Sequence, residues 1–399
     1  MKEFKKYTLI TLKWIALSVI TGITCGAIGT LFSKTLEFVT NLRTGNGWLL
    51  YLLPIGGIVI VLLYKLLKVE GVGTVTVFES IKKEKELSAS VVPAIFISSA
   101  VSHLFGASVG REGAALQIGG GMASLYSKIF KLTQNERKII LMCGMAGLFS
   151  AVFGTPIGAA AFALEVILIK LCLNGALPVL LTSLVSFFTA EFLGARAERF
   201  NLMGVPKLSF NVFWRVAVIL SACVIACFIF CKSLSLSKKL FKIHNPYLKI
   251  IVGGLIVIAL TLLAGNNDYN GGGVNIIENV FNGNVKYEAF ALKVIFTAIC
   301  IGTGFKGGEI IPTFFIGATC GGAAAMLLGL PVPFGGAIGM AVLFCGATNC
   351  PVATVLLCAE MFSGQGIWYI IPVTAAAFFL CRFEGLYGKK YKILKRKGN

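Results

Sequence analysis

Residues 110–120 read GREGAALQIGG, and strongly apolar sequence lies on both sides of them. Arg111 and Glu112 are adjacent in this stretch and are flanked by glycines. Charged side chains within membrane-type apolar sequence are costly, so they are rare and mark functional sites. A glycine-rich break that opens into a helix also points free N–H groups outward, and such N-termini bind anions. The stretch therefore predicts an anion site with an ionisable acid beside it.

The composition of this 399-residue chain indicates a polytopic membrane protein. Hydrophobic residues make up 57% and charged residues 13% of the sequence, whereas soluble domains are about 45–50% apolar and about 25% charged. The formal net charge of +19 comes from lysines in short loops and at both termini, as in cytoplasmic segments. No basic helix or aromatic-basic module indicates nucleic-acid binding. We expect a plasma-membrane protein, embedded in the lipid bilayer, with both termini in the cytoplasm.

The reactive residue types do not form an enzyme-like or metal-like pattern. The chain has twelve cysteines and two histidines, and most cysteines lie in apolar runs, where a free thiol behaves as a small hydrophobic side chain. We therefore predict no metal site and no cofactor. His103 and Ser102 are adjacent, so on a helix they would face different sides. This spacing argues against an intramembrane protease.

The apolar segments predict an all-α membrane protein with broken helices. Many segments are shorter than the roughly 20 residues of a full crossing, and broken helices are tolerated only where they line a cavity or are buried in protein. This pattern favours a transporter or channel. We predict helices over residues 8–34, 48–68, 90–106, 139–152, 156–170, 175–192, 211–231, 249–264, 288–302, 311–330, 335–346, 351–362 and 367–381.

Two halves of the chain carry matching residues. GMAGLF at 144–149 reappears as GMAVLF at 339–344, an offset of 195 residues. The same offset relates Pro156 to Pro351 and Glu165 to Glu360. At an offset of 197, Gly110, Glu112 and Gly120 match Gly307, Glu309 and Gly317. Each half would thus carry a glycine-flanked glutamate that begins a helix.

Paired repeats with broken helices place a binding site between the halves, near the bilayer midplane. We predict a first membrane repeat over residues 1–205, a second over 206–382, and a final helix with a short basic cytoplasmic tail over 383–399. Lysine-rich sequence at both ends indicates an even number of crossings. If each half crosses an odd number of times, the repeats are inverted.

These residues resemble the CLC family of chloride channels and anion/proton antiporters. GREG at 110–113 and QIGG at 117–120 match the family's signature around its gating glutamate. GGEIIP at 307–312 stands at its second anion-coordinating loop, and Gly385-Leu386-Tyr387 stands at its pore tyrosine. The resemblance implies a CLC-like fold with two inverted-topology repeats, and a homodimer with one ion pathway per subunit. It also implies helix N-termini around dehydrated anions, and no CBS domains follow residue 399.

Two departures from the family pattern point to one of its branches. Val72 or Gly71 stands where the family usually places a serine hydroxyl, and Val166 stands where many exchangers have an inner proton-carrying glutamate. Short chains that lack both resemble the fluoride-exporting branch. The predicted function is therefore transport of fluoride or chloride by proton-coupled exchange. The alternatives are a passive, voltage-gated-type chloride channel, a non-conducting membrane scaffold and a carrier of a non-halide substrate.

The resemblance assigns roles to individual residues. Glu112 is the predicted gate, which blocks the anion site as a carboxylate and leaves it when protonated, and Arg111 is a surface or structural anchor. Glu309 is either a second acid in the pathway or an acid that caps a helix, and Tyr387 is a hydroxyl donor or an interfacial anchor. The predicted anion-binding residues are Gly71, Val72, Gly73, Gly113, Ala114, Ile310, Ile311 and Tyr387. Glu165 and Glu360 are expected to pair with loop lysines.

Overall fold

The computed structural model of the protein describes residues 2–83, 87–167, 172–381 and 385–387. Helices dominate this part of the chain, and a short 3₁₀ helix at Gly47–Leu52 precedes the second of them. The helices are α1 Lys2–Gly45, α2 Leu53–Leu66, α3 Thr74–Lys83, α4 Val91–Leu104, α5 Glu112–Ile129, α6 Gln134–Phe153, α7 Pro156–Ile167, α8 Cys172–Phe192, α9 Phe210–Leu240, α10 Pro246–Ala264, α11 Val274–Phe281, α12 Ala289–Thr303, α13 Ile310–Leu327, α14 Val332–Thr348, α15 Pro351–Met361 and α16 Ile367–Leu380.

The helices fall into long spans and short apolar pieces, as the sequence predicts. By length and composition, six segments of the described chain can cross a membrane. Six other apolar helices have only 10–17 residues. One of the six spans, α13, has 83% of its most apolar window buried inside the protein. A short or deeply buried helix packs among other helices or lines a cavity, rather than anchoring the chain in lipid.

Three differences from the predicted elements have physical causes. The first helix continues to Gly45 instead of residue 34, and Lys34 within it donates its ammonium to Leu193 O at 2.8 Å. The short helices α3 and α11 follow glycine-rich loops and were not predicted as helices, since they have only 10 and 8 residues. The charged sequence at 82–86 also indicates a loop, but α3 continues to Lys83; the rest of that stretch and most of the tail at 383–399 lie outside the described residues.

Glycines bring α5 against α6 and α13 against α14 in the same way. A Cβ built on Gly119 would lie 2.1 Å from Gly144 O, and one built on Gly317 would lie 2.5 Å from Gly339 O. These distances are shorter than any side chain tolerates, so only glycine permits the backbone contact. The second half therefore repeats the packing of the first half.

The register of the repeat differs by three residues between its two parts. α7 and α15 both begin at a proline, at Pro156 and Pro351, which confirms the offset of 195. However, α5 begins at Glu112 and α13 at Ile310, 198 residues later, and Glu309 is only the N-cap of α13. The predicted match between Glu112 and Glu309 was therefore wrong by one position. Matching by glycine identity cannot detect a shift of one residue within glycine-rich sequence.

Two glutamates tie the halves together at α7 and α15. Glu360, near the end of α15, accepts hydrogen bonds from the first N–H groups of α7 at 2.9 and 2.7 Å. Glu165, near the end of α7, accepts from the first N–H groups of α15 at 3.4 and 2.8 Å. Each acid thus caps the other half's helix, and the two helices run antiparallel, as inverted repeats require. The sequence analysis expected lysine partners and did not predict this capping.

Candidate anion and proton site

Two glycines join the halves at the centre of the molecule. Gly110 N donates to Gly308 O at 2.7 Å, and Gly308 N donates to Gly110 O at 2.6 Å, which forms an isolated antiparallel bridge. A Cβ built on Gly308 would lie 2.3 Å from Gly113 N. Because no larger residue fits, the glycines allow the N-termini of α5 and α13 to meet.

The carboxylate of Glu112 lies on the N-terminus of α13. Glu112 is fully buried, and its Oε2 accepts from Arg111 N at 3.1 Å and from Ile311 N at 3.3 Å. The N–H groups of a first helical turn have no intrahelical acceptor and carry the positive end of the helix dipole. A negative group of the first half therefore lies against the N-terminus of a helix of the second half.

Arg111 forms an ion pair on the other side of this carboxylate. Its Nε lies 3.4 Å from Glu112 Oε1, and its NH2 group donates to Glu198 Oε1. The guanidinium is thus held between two acids, which agrees with the structural role predicted for it. This pairing with Glu198 was not predicted, because no local pattern connects Glu198 with a residue 87 positions earlier.

Four of the predicted anion-binding residues lie in the two helix N-termini that meet. Gly113 and Ala114 are buried in the first turn of α5, and Ile310 and Ile311 are buried in the first turn of α13. Their side chains are apolar or absent, so any contact with an anion is made by main-chain N–H groups. These donors are the chemistry expected for a dehydrated anion.

The predicted donors of the first loop are arranged differently. Gly71 is exposed, with a left-handed φ of +76°. Val72 N donates to Val69 O at 3.2 Å, and Gly73 N donates to Thr76 Oγ1 at 3.2 Å, so two of the three N–H groups are bonded within the loop. The structure brings the next residue to the site instead.

Thr74 is the loop residue that reaches α5. Thr74 is buried, and its Oγ1 donates to Gly113 O at 3.4 Å. Gln117 Nε2 donates to both Thr74 Oγ1 and Gly113 O, each at 3.2 Å. The sequence analysis quoted Gln117 only as part of the motif and assigned Thr74 no role. A hydroxyl directly after a glycine-rich loop was the available signal.

Tyr387 lies beside the site, and its ring packs against other aromatic side chains. Its ring packs edge-on against Phe78, with centroids 4.8 Å apart, and lies 6.5 Å from the ring of Phe162. Its hydroxyl is buried and has no hydrogen-bond partner among the described residues. A buried hydroxyl normally has a partner, so this group is available to a ligand.

Glu309 also presents an oxygen without a partner. Its main-chain carbonyl accepts from Thr313 N at 3.0 Å and from Thr313 Oγ1 at 2.7 Å, but its side chain makes no capping hydrogen bond. Its Oε2 is buried and unpaired within the described structure, 3.4 Å from the position of a Cβ on Gly113. The helix-capping alternative for the Glu309 carboxylate is therefore not observed.

The cysteines and the other possible metal ligands are the last side chains to place. Within residues the structure describes, no group of three or more His, Cys, Asp or Glu side chains could hold a metal ion. The eleven cysteines with described side chains are buried and form no disulfide with one another. They fill space between helices as small hydrophobic groups.

A family described as "Voltage gated chloride channel" matches residues 56–382. The chain belongs to this family, the CLC proteins. This CLC chain is 32% identical over 394 residues to a "Chloride/fluoride channel protein" of Pseudomonas syringae pv. tomato, covering 94% of this chain and 85% of the relative. It is 22% identical to the "H(+)/Cl(-) exchange transporter ClcA" of Vibrio vulnificus, covering 96% and 89%.

Solved CLC structures share the fold. A "CLC-type fluoride/proton antiporter" superimposes with a TM-score of 0.89 at 30% identity and covers 94% of this chain and 97% of its own. A "slow cyanobacterial Cl-/H+ antiporter" superimposes with a TM-score of 0.78 at 18% identity, covering 92% and 94%. The predicted family and the predicted all-α CLC fold are thus confirmed.

Proposed function

We propose that this CLC protein exchanges a halide for protons across the bilayer, with Glu112 as its gate. The observation that carries the proposal is the hydrogen bond from Ile311 N to the Glu112 carboxylate. A helix N-terminus that holds a carboxylate can hold a free anion equally well, but not at the same time. Protonation removes the negative charge of Glu112 and weakens its hold, so proton uptake and anion occupancy become linked.

The anion would bind to main-chain donors around the vacated carboxylate position. We propose the N–H groups of Gly113 and Ala114 from one half and of Ile310 and Ile311 from the other, with the Tyr387 hydroxyl as an additional donor. The first loop, Gly71, Val72 and Gly73, would contribute only after its local hydrogen bonds open, because Val72 and Gly73 already use their N–H groups.

Fluoride is the halide that we favour. The relative at 32% identity is named a chloride/fluoride channel protein, and the structure at 30% identity is named a fluoride/proton antiporter. The site itself adds an observation, because Tyr387 places a hydroxyl without a partner among the described residues beside the helix N-termini. Small, strongly hydrated fluoride needs such donors more than chloride does.

Glu309 is the second acid of the proposed exchange. Val166, where an inner acid was looked for, is a buried apolar residue of α7. Glu309 instead presents an unpaired carboxylate oxygen close to Gly113, which follows the gate. The absence of an acid at Val166 also favours the alternative of a passive channel, in which no proton crosses.

We further propose a homodimer in the plasma membrane with both termini in the cytoplasm. The helices α7, α8, α15 and α16 pack next to one another and expose large apolar side chains, among them Ile157 at 47%, Leu177 at 69%, Val352 at 59% and Trp368 at 76%. A second copy would cover these side chains. Mass measurement of the detergent-solubilised protein tests this, and a monomer would contradict it.

Flux from proteoliposomes tests the function. Vesicles loaded with fluoride or chloride are monitored with an ion-selective electrode and an internal pH dye. We expect fluoride to leave faster than chloride, with protons moving in the opposite direction. Glu112→Gln should abolish proton movement, while Glu191→Gln, a change at an exposed acid away from the site, should not.

Each other outcome would support a different function. Halide flux without proton movement in the unaltered protein would establish the passive channel. Equal fluoride and chloride rates would exclude fluoride selectivity. Absence of flux for every halide would overturn transport and favour a scaffold.

A further inference from the structure

Gln117 lies one helical turn beyond the gate and has an unused acceptor. Its side chain is 3% exposed. Its Nε2 donates to Gly113 O and Thr74 Oγ1, each at 3.2 Å, which fixes the orientation of the amide because a carbonyl oxygen can only accept. The amide Oε1 has no hydrogen-bond partner in the described part of the chain.

A second unused acceptor faces the same residue. Glu309 Oε2 lies 3.4 Å from the Cβ position of Gly113, and Thr74 Oγ1 lies 3.2 Å from that position. The carboxylate oxygen and the Gln117–Thr74 pair are therefore neighbours on one side of Gly113. Buried acceptors normally have donors, yet neither Glu309 Oε2 nor Gln117 Oε1 has one among the residues described.

A proton on Glu309 would supply the missing donor. A protonated carboxyl has one O–H group, whereas an amide oxygen is only an acceptor. One O–H group, acting directly or through a single water molecule, would satisfy Glu309 and Gln117 together. A hydrogen bond to the neutral form of an acid favours that form.

We propose that Gln117 is a positioning residue of the proton pathway, whose amide oxygen holds Glu309 in its protonated form. This inference rests on the proposed function, in which Glu309 is the second acid. The Thr74 hydroxyl and Gly113 carbonyl fix the amide. In the transfer that follows, an O–H bond of Glu309 breaks and one forms on Glu112, with water as carrier, so no other reactant is required.

The charged groups around this path are few and can be named. Arg111 lies beside Glu112 and is paired with Glu198. Lys238 of α9 interacts electrostatically with Glu309, and the phenol of Tyr387 interacts with both acids. Neither Gln117 nor Thr74 is charged, so their effect on proton movement would come from hydrogen bonding alone.

The experiment measures the ratio of proton to fluoride movement in proteoliposomes. Gln117→Leu keeps the approximate size but removes the acceptor, and Thr74→Val removes the hydroxyl that orients it. We expect proton movement to fall about tenfold in both variants, as when one partner of a positioned acid is lost. Fluoride movement should stay within about threefold of the unaltered protein, because the main-chain donors are unchanged.

Two controls separate positioning from a structural role. Thr74→Ser retains the hydroxyl and should restore the ratio of proton to fluoride movement. Ser124→Ala removes a buried hydroxyl of α5, the helix of Gln117, that bonds to Leu87 O at 2.6 Å, and it should leave the ratio unchanged. An unchanged ratio in Gln117→Leu and Thr74→Val, or a parallel loss of both fluxes, overturns the inference alone. Fluoride flux without proton movement in the unaltered protein overturns the proposed exchange and the inference together.

Discussion

Glu360 caps α7 and Glu165 caps α15, and each of these glutamates can be replaced separately. Glu360→Ala deletes the acceptor of Ile157 N at 2.9 Å and Gly158 N at 2.7 Å. Glu165→Ala deletes the acceptor of two N–H groups of α15, at 3.4 and 2.8 Å. In both variants the helix N-terminus of one half loses a carboxylate that belongs to the other half.

The expected cost follows from the hydrogen bonds and the helix dipole. Loss of a side-chain cap reduces the free energy of unfolding by about 0.5–2 kcal/mol, and loss of a negative charge at a helix N-terminus costs about 0.3–2 kcal/mol. The two effects overlap, so we expect about 1–3 kcal/mol for Glu360→Ala. Glu165→Ala should cost less, because one of its two hydrogen bonds is long at 3.4 Å.

Thermal unfolding of the purified protein in detergent measures this effect. Glu360→Gln keeps one acceptor oxygen without the charge and should lie between the alanine variant and the unaltered protein. Glu191→Ala, a change at an exposed acid at the end of α8, is the matched control and should leave the melting temperature unchanged. If Glu360→Ala and Glu165→Ala have the same melting temperature as this control, the acids do not stabilise the contact between the halves.

Three further predictions concern the site. Gly308→Ala should lower the free energy of unfolding by more than about 3 kcal/mol and prevent folding, because its Cβ would lie 2.3 Å from the main chain of α5. The control Gly47→Ala should express normally, because a Cβ on Gly47 has no neighbour within 4 Å. Arg111→Gln should lower the melting temperature by leaving Glu198 unpaired, and adding Glu198→Gln should restore part of the loss; no restoration would show that the pair is not coupled. Tyr387→Phe should reduce fluoride flux about fivefold, the value of one neutral hydrogen bond, without changing stability, and an unchanged flux would exclude the hydroxyl as a ligand.

Local sequence was sufficient to predict most helices and to single out Glu112, whose role as a gate stays a prediction. Charged residues are conspicuous in apolar sequence, so Glu112 could be singled out before any fold was known. Apolar runs bounded by loops predicted most helices, and Pro156 and Pro351 marked the equivalent starts of α7 and α15. These features are local, and their cost or benefit does not depend on a distant partner.

The contacts between distant residues were not predictable in the same way. Glu198 binds Arg111 and Glu360 caps α7 only because the fold brings the halves together. The correct pairing of Glu112 with Ile310, rather than with Glu309, depends on where each helix begins. Glycines recur throughout this region, so identity alone cannot decide a register that helix packing decides.

The register has a chemical consequence for the site. If Glu309 were the true counterpart of Glu112, two acids would begin the two opposed helices and compete for the same donors. Instead, α13 begins one residue later, so its first N–H groups belong to Ile310 and Ile311, and the Ile311 N–H binds the carboxylate of Glu112. Glu309, as the N-cap, directs its carboxylate toward Gly113. The broken symmetry thus gives the two acids different positions, with Glu112 on the N-terminus of α13 and Glu309 beside Gly113.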